Sequence, residues 1–101
     1  MRESEIQKRI MDYLKDKDYF VWKNHMEGVR AKSGGGRGRN PNAGIPDLMA
    51  MKDGELLFFE VKGARGRLSP AQKDWHDEAK RNGFIVHVVY SLDDVIDIVG
   101  V

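Results

Sequence analysis

The sequence predicts an α/β fold in which a four-stranded sheet is flanked by helices. Three observations lead to this fold class. Apolar residues recur at helical spacing near the N-terminus, four short β-prone runs follow along the chain, and two segments with helix-capping residues occupy its second half. The predicted order of elements is α-β-β-β-α-β-α, and four strands with helices on both sides form a compact sandwich.

The composition is that of one globular domain covering residues 1–101. Hydrophobic residues make up 41% of the chain and charged residues 33%, which is enough to build a core. The absence of cysteine excludes disulfides and thiolate zinc sites and favours an intracellular compartment. No apolar run approaches the roughly 18 residues of a membrane span, and the charged N-terminus is unlike a secretory signal.

The first third of the chain predicts a helix, a strand and a loop. The helix runs from about Glu5 to Lys15, where Ser4 with Gln7 fits a capping box. Its apolar residues at helical spacing are Ile6, Ile10, Met11 and Leu14. Tyr19 to Lys23 is a short β-prone run. Residues 31–44 contain five glycines and no large apolar anchor, so they are predicted to form a loop.

A hairpin around Asp53-Gly54 is the most informative prediction. This dipeptide joins two apolar runs and is a strong signal for a two-residue turn. Pairs counted outward from the turn place Asp47 opposite Glu60, provided that neither strand contains a β-bulge. Directly paired residues have Cβ atoms about 5 Å apart. Two carboxylates at that distance repel by about 3 kcal/mol at an effective dielectric constant of about 20.

The second half of the chain predicts a central strand, two helices and a further strand. Leu56 to Val61 is almost continuously apolar, which is typical of a strand covered on both faces. Ser69-Pro70-Ala71-Gln72 then combines an N-cap, a proline at the first helical position and a capping-box residue, and Gly83 ends that helix. Its inward face would be Trp75, Ala79 and His76. Phe84 to Tyr90 is the fourth strand, and the final helix has the apolar residues Leu92, Val95, Ile96 and Val99.

The facing carboxylates predict a divalent metal ion between them. Strand alternation puts Lys62 on the same face as Glu60, while Val61 points into the core. Oxygen ligands suit Mg²⁺ or Mn²⁺, which accept substrate phosphate oxygens and lower the pKa of bound water. Lys62 can orient the attacking water or stabilise an oxyanion, so the set favours phosphodiester hydrolysis. The alternatives are a solvated sheet face or an ordinary Lys62–Glu60 salt bridge, which would leave Asp47 without a partner.

Basic residues cluster in two segments on either side of the carboxylate pair. Five basic residues and one acidic residue lie between Lys23 and Arg39, and three basic residues lie between Lys62 and Arg67. Such segments indicate a polyanionic substrate, although they would also serve solubility alone. The residues expected to contact phosphates of such a substrate are Arg37, Arg39, Arg65, Arg67 and Lys73.

Pro46-Asp47 followed by Glu60-Val61-Lys62 resembles the signature of the PD-(D/E)XK nuclease superfamily. A longer set of residues is similar to the VRR-NUC family in particular, namely Gly44-Ile-Pro-Asp-Leu48, Gly63, Arg67-Leu-Ser69, Gln72, Trp75 and Gly83. The resemblance covers nearly the whole chain. It implies a restriction-endonuclease-like core of order αβββαβ, here with a further helix, around a central four-stranded mixed sheet.

The resemblance also implies roles for individual residues. The catalytic residues would be Asp47, Glu60, Lys62, Gln72 and Glu5, and the metal ligands Asp47, Glu60 and the backbone carbonyl of Val61. Gln72 would face the site from the first turn of its helix, unless it is only a capping residue. Glu5 would be the glutamate that the family places on the first helix, with Glu3 as the competitor.

Together, residues and resemblance predict a Mg²⁺- or Mn²⁺-dependent endodeoxyribonuclease that cuts branched or structured DNA in the manner of Holliday junction resolvases. No small-molecule cofactor beyond the metal is expected. The similarity to stand-alone, virus-type members implies a homodimer in the cytoplasm of a bacterium or a virus-infected host cell. Two rival functions stay open, a non-catalytic structure-specific DNA-binding protein on the same fold and a nicking or restriction-type nuclease.

Overall fold

The computed structural model describes residues 1–24 and 42–100. Within these residues the elements are α1 (Glu3–Asp16), β1 (Phe20–Lys23), β2 (Leu48–Lys52), β3 (Glu55–Val61), α2 (Pro70–Arg81), β4 (Val86–Val89) and α3 (Leu92–Val99). The sheet order is β1-β2-β3-β4, with β3 and β4 parallel and the other neighbours antiparallel. The predicted α/β fold with a mixed four-stranded sheet is confirmed. Most of the predicted 31–44 loop lies outside the described residues.

The hairpin forms at the predicted turn and in the predicted register. Asp53 (φ 51°) and Gly54 (φ 82°) both have positive φ, the backbone that a two-residue turn needs to match the twist of its strands. The ladder continues from the turn to Leu48 opposite Phe59 without a bulge. Asp47 therefore lies one residue beyond the last paired residue of β2.

Two apolar clusters cover the opposite faces of the sheet. The larger cluster packs α1 and α3 on one face and consists of Ile6, Ile10, Leu14, Val21, Leu48, Ala50, Phe59, Val61, Val89 and Val95. The smaller cluster packs α2 on the other face through Phe58, Ala79 and Val86, with Trp75 partly buried beside them. The last four residues of β3 are all buried, as predicted for a central strand.

The start of α1 differs from the sequence-based prediction. The helix begins at Glu3 with Arg2 as its N-cap, so Ser4 lies inside the first turn and the predicted Ser4–Gln7 capping box is wrong. Acidic side chains in the first turn favour this earlier start, because they lie near the positive end of the helix dipole. Glu5 accepts a hydrogen bond from the backbone nitrogen of Arg2 at 3.4 Å. Gln7 is buried instead of capping.

The later elements follow the predictions closely. Ser69 Oγ accepts a hydrogen bond from the backbone nitrogen of Gln72 at 3.1 Å, and Gln72 Oε1 accepts one from the backbone nitrogen of Ser69 at 2.8 Å, which completes the capping box. The strand β4 is shorter than predicted, since Phe84 and Ile85 precede it and are exposed. In the described ranges, the helices are all too short or too polar to cross a membrane.

Candidate active site

The segment before β2 holds Asp47 against the end of β3. Asp47 Oδ2 accepts a hydrogen bond from the backbone nitrogen of Val61 at 2.8 Å. Asn24, just after β1, donates from its backbone nitrogen to the Asp47 carbonyl at 2.9 Å and from its side chain to the Pro46 carbonyl at 2.8 Å. Two neighbouring strands thus fix the position of this carboxylate.

Gly44 brings the same segment against the first turn of α2. Its φ of +79° suits glycine, and a Cβ atom at this position would overlap the carbonyl oxygen of Ala71 and lie 2.7 Å from the backbone nitrogen of Gln72. The backbone that leads to Asp47 therefore packs directly on the helical turn that carries Gln72. This contact explains why the sequence needs glycine here.

Glu60 is an acidic side chain in the interior. It is 1% exposed, and neither carboxylate oxygen has a hydrogen-bond partner within residues 1–24 and 42–100. Burial, followed by the interaction with Asp47, raises the pKa of Glu60 well above its ordinary value, and Lys62 opposes this shift. A buried carboxyl group in this setting either keeps its proton or needs a cation beside it.

His76 approaches Glu60 from α2. Its Nε2 lies 3.5 Å from Glu60 Oε1, and the imidazole side chain is 13% exposed. This nitrogen is buried and lacks a hydrogen-bond partner in the described part of the chain. Burial lowers the pKa of His76, so the imidazole is neutral near pH 7. The sequence predicted only that His76 faces inward, because its contact with Glu60 depends on how α2 lies across β3.

Lys62 and Gln72 are joined by a hydrogen bond. Lys62 Nζ donates to Gln72 Oε1 at 3.0 Å, and the same oxygen accepts from the backbone nitrogen of Ser69. Both partners are donors, so the amide must present its oxygen to them. Gln72 thus completes the capping box and also contacts Lys62, so capping is not its only contact.

The turn after β3 packs on the stem of Lys62. The backbone nitrogen of Gly66 donates to the Gly63 carbonyl at 2.8 Å and closes this turn. A Cβ atom at Gly66 would lie 3.0 Å from Lys62 Cβ and 3.1 Å from Lys62 Cδ. The aliphatic part of Lys62 therefore packs beside the backbone of Gly66, and its ammonium group is hydrogen-bonded to Gln72.

The glutamate of α1 that contacts this region is Glu3. Its Oε2 accepts a hydrogen bond from the backbone nitrogen of Gly63 at 3.2 Å, and its charge adds to the upward shift of the Glu60 pKa. Glu5 bonds the start of its own helix instead. Residues two apart on a helix point about 200° away from each other, so only one of the two can face β3. The geometry therefore favours Glu3 over Glu5.

Three of the five basic residues predicted to contact phosphates lie in the described part of the chain, close in sequence to Lys62 and Gln72. Arg65 and Arg67 belong to the segment between β3 and α2, Lys73 to the first turn of α2, and all three are exposed. Arg37 and Arg39 lie outside the described residues. Three exposed cations thus flank Lys62 and Gln72 in the chain.

The donors at this site fit a hard divalent cation in their chemistry. They are the carboxylates of Asp47 and Glu60 and the Val61 carbonyl, all of them oxygen donors. The unpaired, buried oxygens of Glu60 are the observation that fits a cation best. Over residues 1–24 and 42–100, no group of three or more histidine, aspartate or glutamate side chains is arranged to hold a metal.

Comparison with known proteins agrees with the resemblance seen in the sequence. The family model described as the VRR-NUC domain matches residues 2–93. A solved structure described as a VRR_NUC domain is 25% identical, with a TM-score of 0.72 over 96% of this chain and 92% of the other. A VRR_NUC domain protein is 21% identical, with a TM-score of 0.69 over 98% of this chain and 85% of the other, and shows the fold. A search of curated proteins finds no match. With nearly the whole sequence matched, the chain belongs to the VRR-NUC domain family, a family of nuclease type.

Proposed function

We propose that this protein is a metal-dependent endodeoxyribonuclease that hydrolyses phosphodiester bonds in branched or structured DNA, as Holliday junction resolvases do. The observation that supports this most is the grouping of Asp47, Glu60 and Lys62 at the end of β3, where the oxygens of Glu60 are buried and unpaired. A purely structural pair of acids would be expected to have a hydrogen-bond partner at such depth.

Asp47, Glu60 and the carbonyl of Val61 would hold Mg²⁺ or Mn²⁺. Such an ion, when bound, neutralises charge at the phosphorus centre and lowers the pKa of a water molecule. Asp47 is already tied to β3 through the nitrogen of Val61, so this carboxylate is positioned before any ligand arrives. Glu60 has no such bond among the described residues and would gain its partner on binding.

Lys62 would orient the attacking water or stabilise the charge that develops on the phosphate. Its ammonium group is held by Gln72 at 3.0 Å, and that amide is held by the backbone of Ser69. A charge-assisted hydrogen bond of this kind is stronger than a neutral one. The lysine is therefore preorganised, which is what makes electrostatic stabilisation of a transition state effective.

DNA would be bound chiefly through its phosphates. Arg65, Arg67 and Lys73 are exposed and follow Lys62 closely in the chain, and Arg37 and Arg39 would add to them. Phosphate contacts position a duplex but read no sequence. We therefore expect little base specificity.

The test combines metal binding with cleavage. Calorimetry with Mn²⁺ should show binding by the wild type and much weaker binding by Asp47→Ala. With Mg²⁺ present, cleavage of linear, flap, splayed and four-way junction DNAs should be fastest on a branched substrate. Lys62→Ala should cut about 10²–10³-fold more slowly and still bind DNA, whereas the control Lys80→Ala, an exposed lysine near the end of α2, should cut normally.

Other outcomes point to the rival functions. DNA binding without metal binding or cleavage would favour a non-catalytic DNA-binding protein. Cleavage of linear DNA at a preferred sequence would favour a nicking or restriction-type nuclease. Normal cleavage by Lys62→Ala would mean that the catalytic role is assigned to the wrong residue.

A homodimer is part of the proposal, because a symmetric dimer places two active sites against two strands of a branched substrate. Sedimentation at micromolar concentration measures it directly. A monomer under those conditions would contradict the dimer and leave the assignment of the site unchanged.

A further inference from the structure

Among the described residues, Glu60 and His76 hold most of the buried side-chain polar atoms that lack a hydrogen-bond partner. Four buried side-chain atoms of the described residues lack a hydrogen-bond partner, and three of them are Glu60 Oε1, Glu60 Oε2 and His76 Nε2. Buried polar groups are normally paired, so each exception calls for an explanation. Nε2 and Oε1 are 3.5 Å apart, a few tenths of an ångström beyond the roughly 2.7–3.2 Å of an N–H···O hydrogen bond.

The arrangement of α2 explains why His76 is at this place. Gln72 and His76 are four residues apart on one helix, so they lie on the same face. Gln72 contacts Lys62 and His76 lies against Glu60. The rotation of the helix is fixed by Trp75, whose ring packs edge-on against Phe58 with 5.4 Å between centroids. One helix face therefore provides a partner for each of two neighbouring functional residues of β3.

We propose that His76 is a positioning residue of the metal site, in which its Nε2–H donates to Oε1 of the ionised Glu60 and holds the carboxylate in one orientation. This inference rests on the proposed function, since it concerns Glu60 as a metal ligand. A carboxylate that binds a metal usually accepts a hydrogen bond from an outer residue, and removing that residue typically costs about 10–100-fold in metal affinity or activity. The charge on the carboxylate shortens and strengthens such a bond.

The structure favours this role over direct coordination by His76. Over the described part of the chain, no three histidine, aspartate or glutamate side chains are arranged to hold a metal. His76 lies against Oε1 of Glu60, which is the position of a residue that contacts a metal ligand and not the metal.

A matched pair of variants separates hydrogen bonding from packing. Methionine and glutamine have similar length, but only glutamine can donate an N–H bond. His76→Met should lower the affinity for Mn²⁺, measured by calorimetry, by about 10–100-fold and reduce kcat with little change in KM for DNA. His76→Gln should restore most of both losses. Equal affinities in all three proteins, or equal losses in both variants, would overturn the positioning role.

His87 provides the control for the loss of a histidine as such. It is a partly buried histidine on β4 that packs against Phe59 with 5.7 Å between ring centroids. Phe59 belongs to the opposite face of β3. His87→Met should leave Mn²⁺ affinity unchanged, and a loss as large as that of His76→Met would overturn the inference.

A measurement on the wild type keeps the test independent of how the variants fold. In a long-range ¹H–¹⁵N spectrum with Mg²⁺ bound, Nε2 of His76 should be the protonated nitrogen. A bare Nε2 in the Mg²⁺-bound protein would overturn the positioning role alone. Failure of the wild type to bind Mn²⁺ and to cut DNA would instead overturn the proposed function, and the inference with it.

Discussion

The two faces of β3 are equally buried, but burial stabilises the fold on one face and opposes folding on the other. Phe59 is 0% exposed and packs among the apolar residues of α1 and α3, whereas its neighbour Glu60 is 1% exposed and points to the α2 side. Burial of the phenylalanine removes apolar surface from water and stabilises the fold. Burial of the carboxylate without a partner opposes folding.

This difference shows how the strand holds an acidic group in the interior. Packing of the apolar face fixes the backbone of β3. The same backbone holds the carboxylate of Glu60 in the interior, although burial of that carboxylate is unfavourable. Positions that break the usual rules of burial are expected at functional sites. Substitutions on the two faces should therefore change stability in opposite directions, which can be measured.

The largest effect on stability is expected on the apolar face. Phe59→Ala should lower the free energy of unfolding by about 3–5 kcal/mol, because it leaves a cavity in the larger cluster. Urea unfolding with a chelator present measures this loss. Phe20→Ala is the control, since Phe20 is 67% exposed on β1 and should cost less than about 0.5 kcal/mol. Similar losses in both variants would contradict the division of the sheet into these two faces.

The next largest effect on stability is expected at the contact between Gly44 and the first turn of α2. Gly44 and Gly54 both have positive φ, but only a side chain at Gly44 would overlap another part of the backbone, at Ala71. Each alanine variant should lose about 1–2 kcal/mol of unfolding free energy, because alanine is unfavourable in left-handed backbone. Gly44→Ala should lose about 1–3 kcal/mol more and should also lose cleavage, as α2 moves from Asp47. Urea unfolding and cleavage assays test this, and equal effects at the two glycines would count against the contact.

A gain in stability is expected at Glu60. Glutamine resembles the protonated carboxyl group, so Glu60→Gln should raise the free energy of unfolding of the metal-free protein by on the order of 1–3 kcal/mol near pH 7. The same variant should lose metal binding. Glu55→Gln, at the exposed turn end of β3, should change neither property.

The sign of the pH dependence follows from the raised pKa of Glu60. Below the ordinary glutamate pKa of 4.5, the carboxyl group is protonated in both the folded and the unfolded state, so its ionisation does not lower the stability. As pH rises, the unfolded state ionises first, so the stability of the metal-free wild type should fall towards the raised pKa. The advantage of Glu60→Gln should therefore grow between about pH 5 and pH 8. An advantage that stays constant with pH would contradict this cause.

Local signals in the sequence were sufficient for the hairpin, for the start of α2 and for the register that brings Asp47 to the end of β3. Asp53-Gly54 determines a turn and hence a register, because side chains alternate along the strands that it joins. Ser69 and Gln72 determine a helix start through a bond between near neighbours. Such interactions depend on a few consecutive residues, which is why they could be read without a structure.

The remaining parts of the site depend on how elements are placed against each other. Glu3 and Glu5 are both acidic and both lie in the first turn of α1, so the sequence cannot tell which one faces β3 until the helix start and rotation are known. His76 was predicted on an inward face, but its partner Glu60 lies 16 residues away on another element. Long-range packing decides both cases.

The smallest effect is expected at the turn beside Lys62, where two glycines can be compared. Neither Gly63 nor Gly66 has a positive φ, so alanine suits both backbones. A Cβ at Gly63 would meet nothing closer than Glu3 Oε2 at 3.7 Å, whereas one at Gly66 would press on Lys62 at 3.0 Å.

Gly66→Ala should therefore slow cleavage by about 10-fold, because a displacement of a few tenths of an ångström misplaces the ammonium group relative to the reacting phosphate. The free energy of unfolding should change by less than about 1 kcal/mol, since this turn contributes little apolar burial. Gly63→Ala should cut at the wild-type rate. Cleavage rates under single-turnover conditions make the comparison. Normal cleavage by Gly66→Ala would show that Gln72 alone is sufficient to position Lys62, and that the backbone surface beside its stem is dispensable.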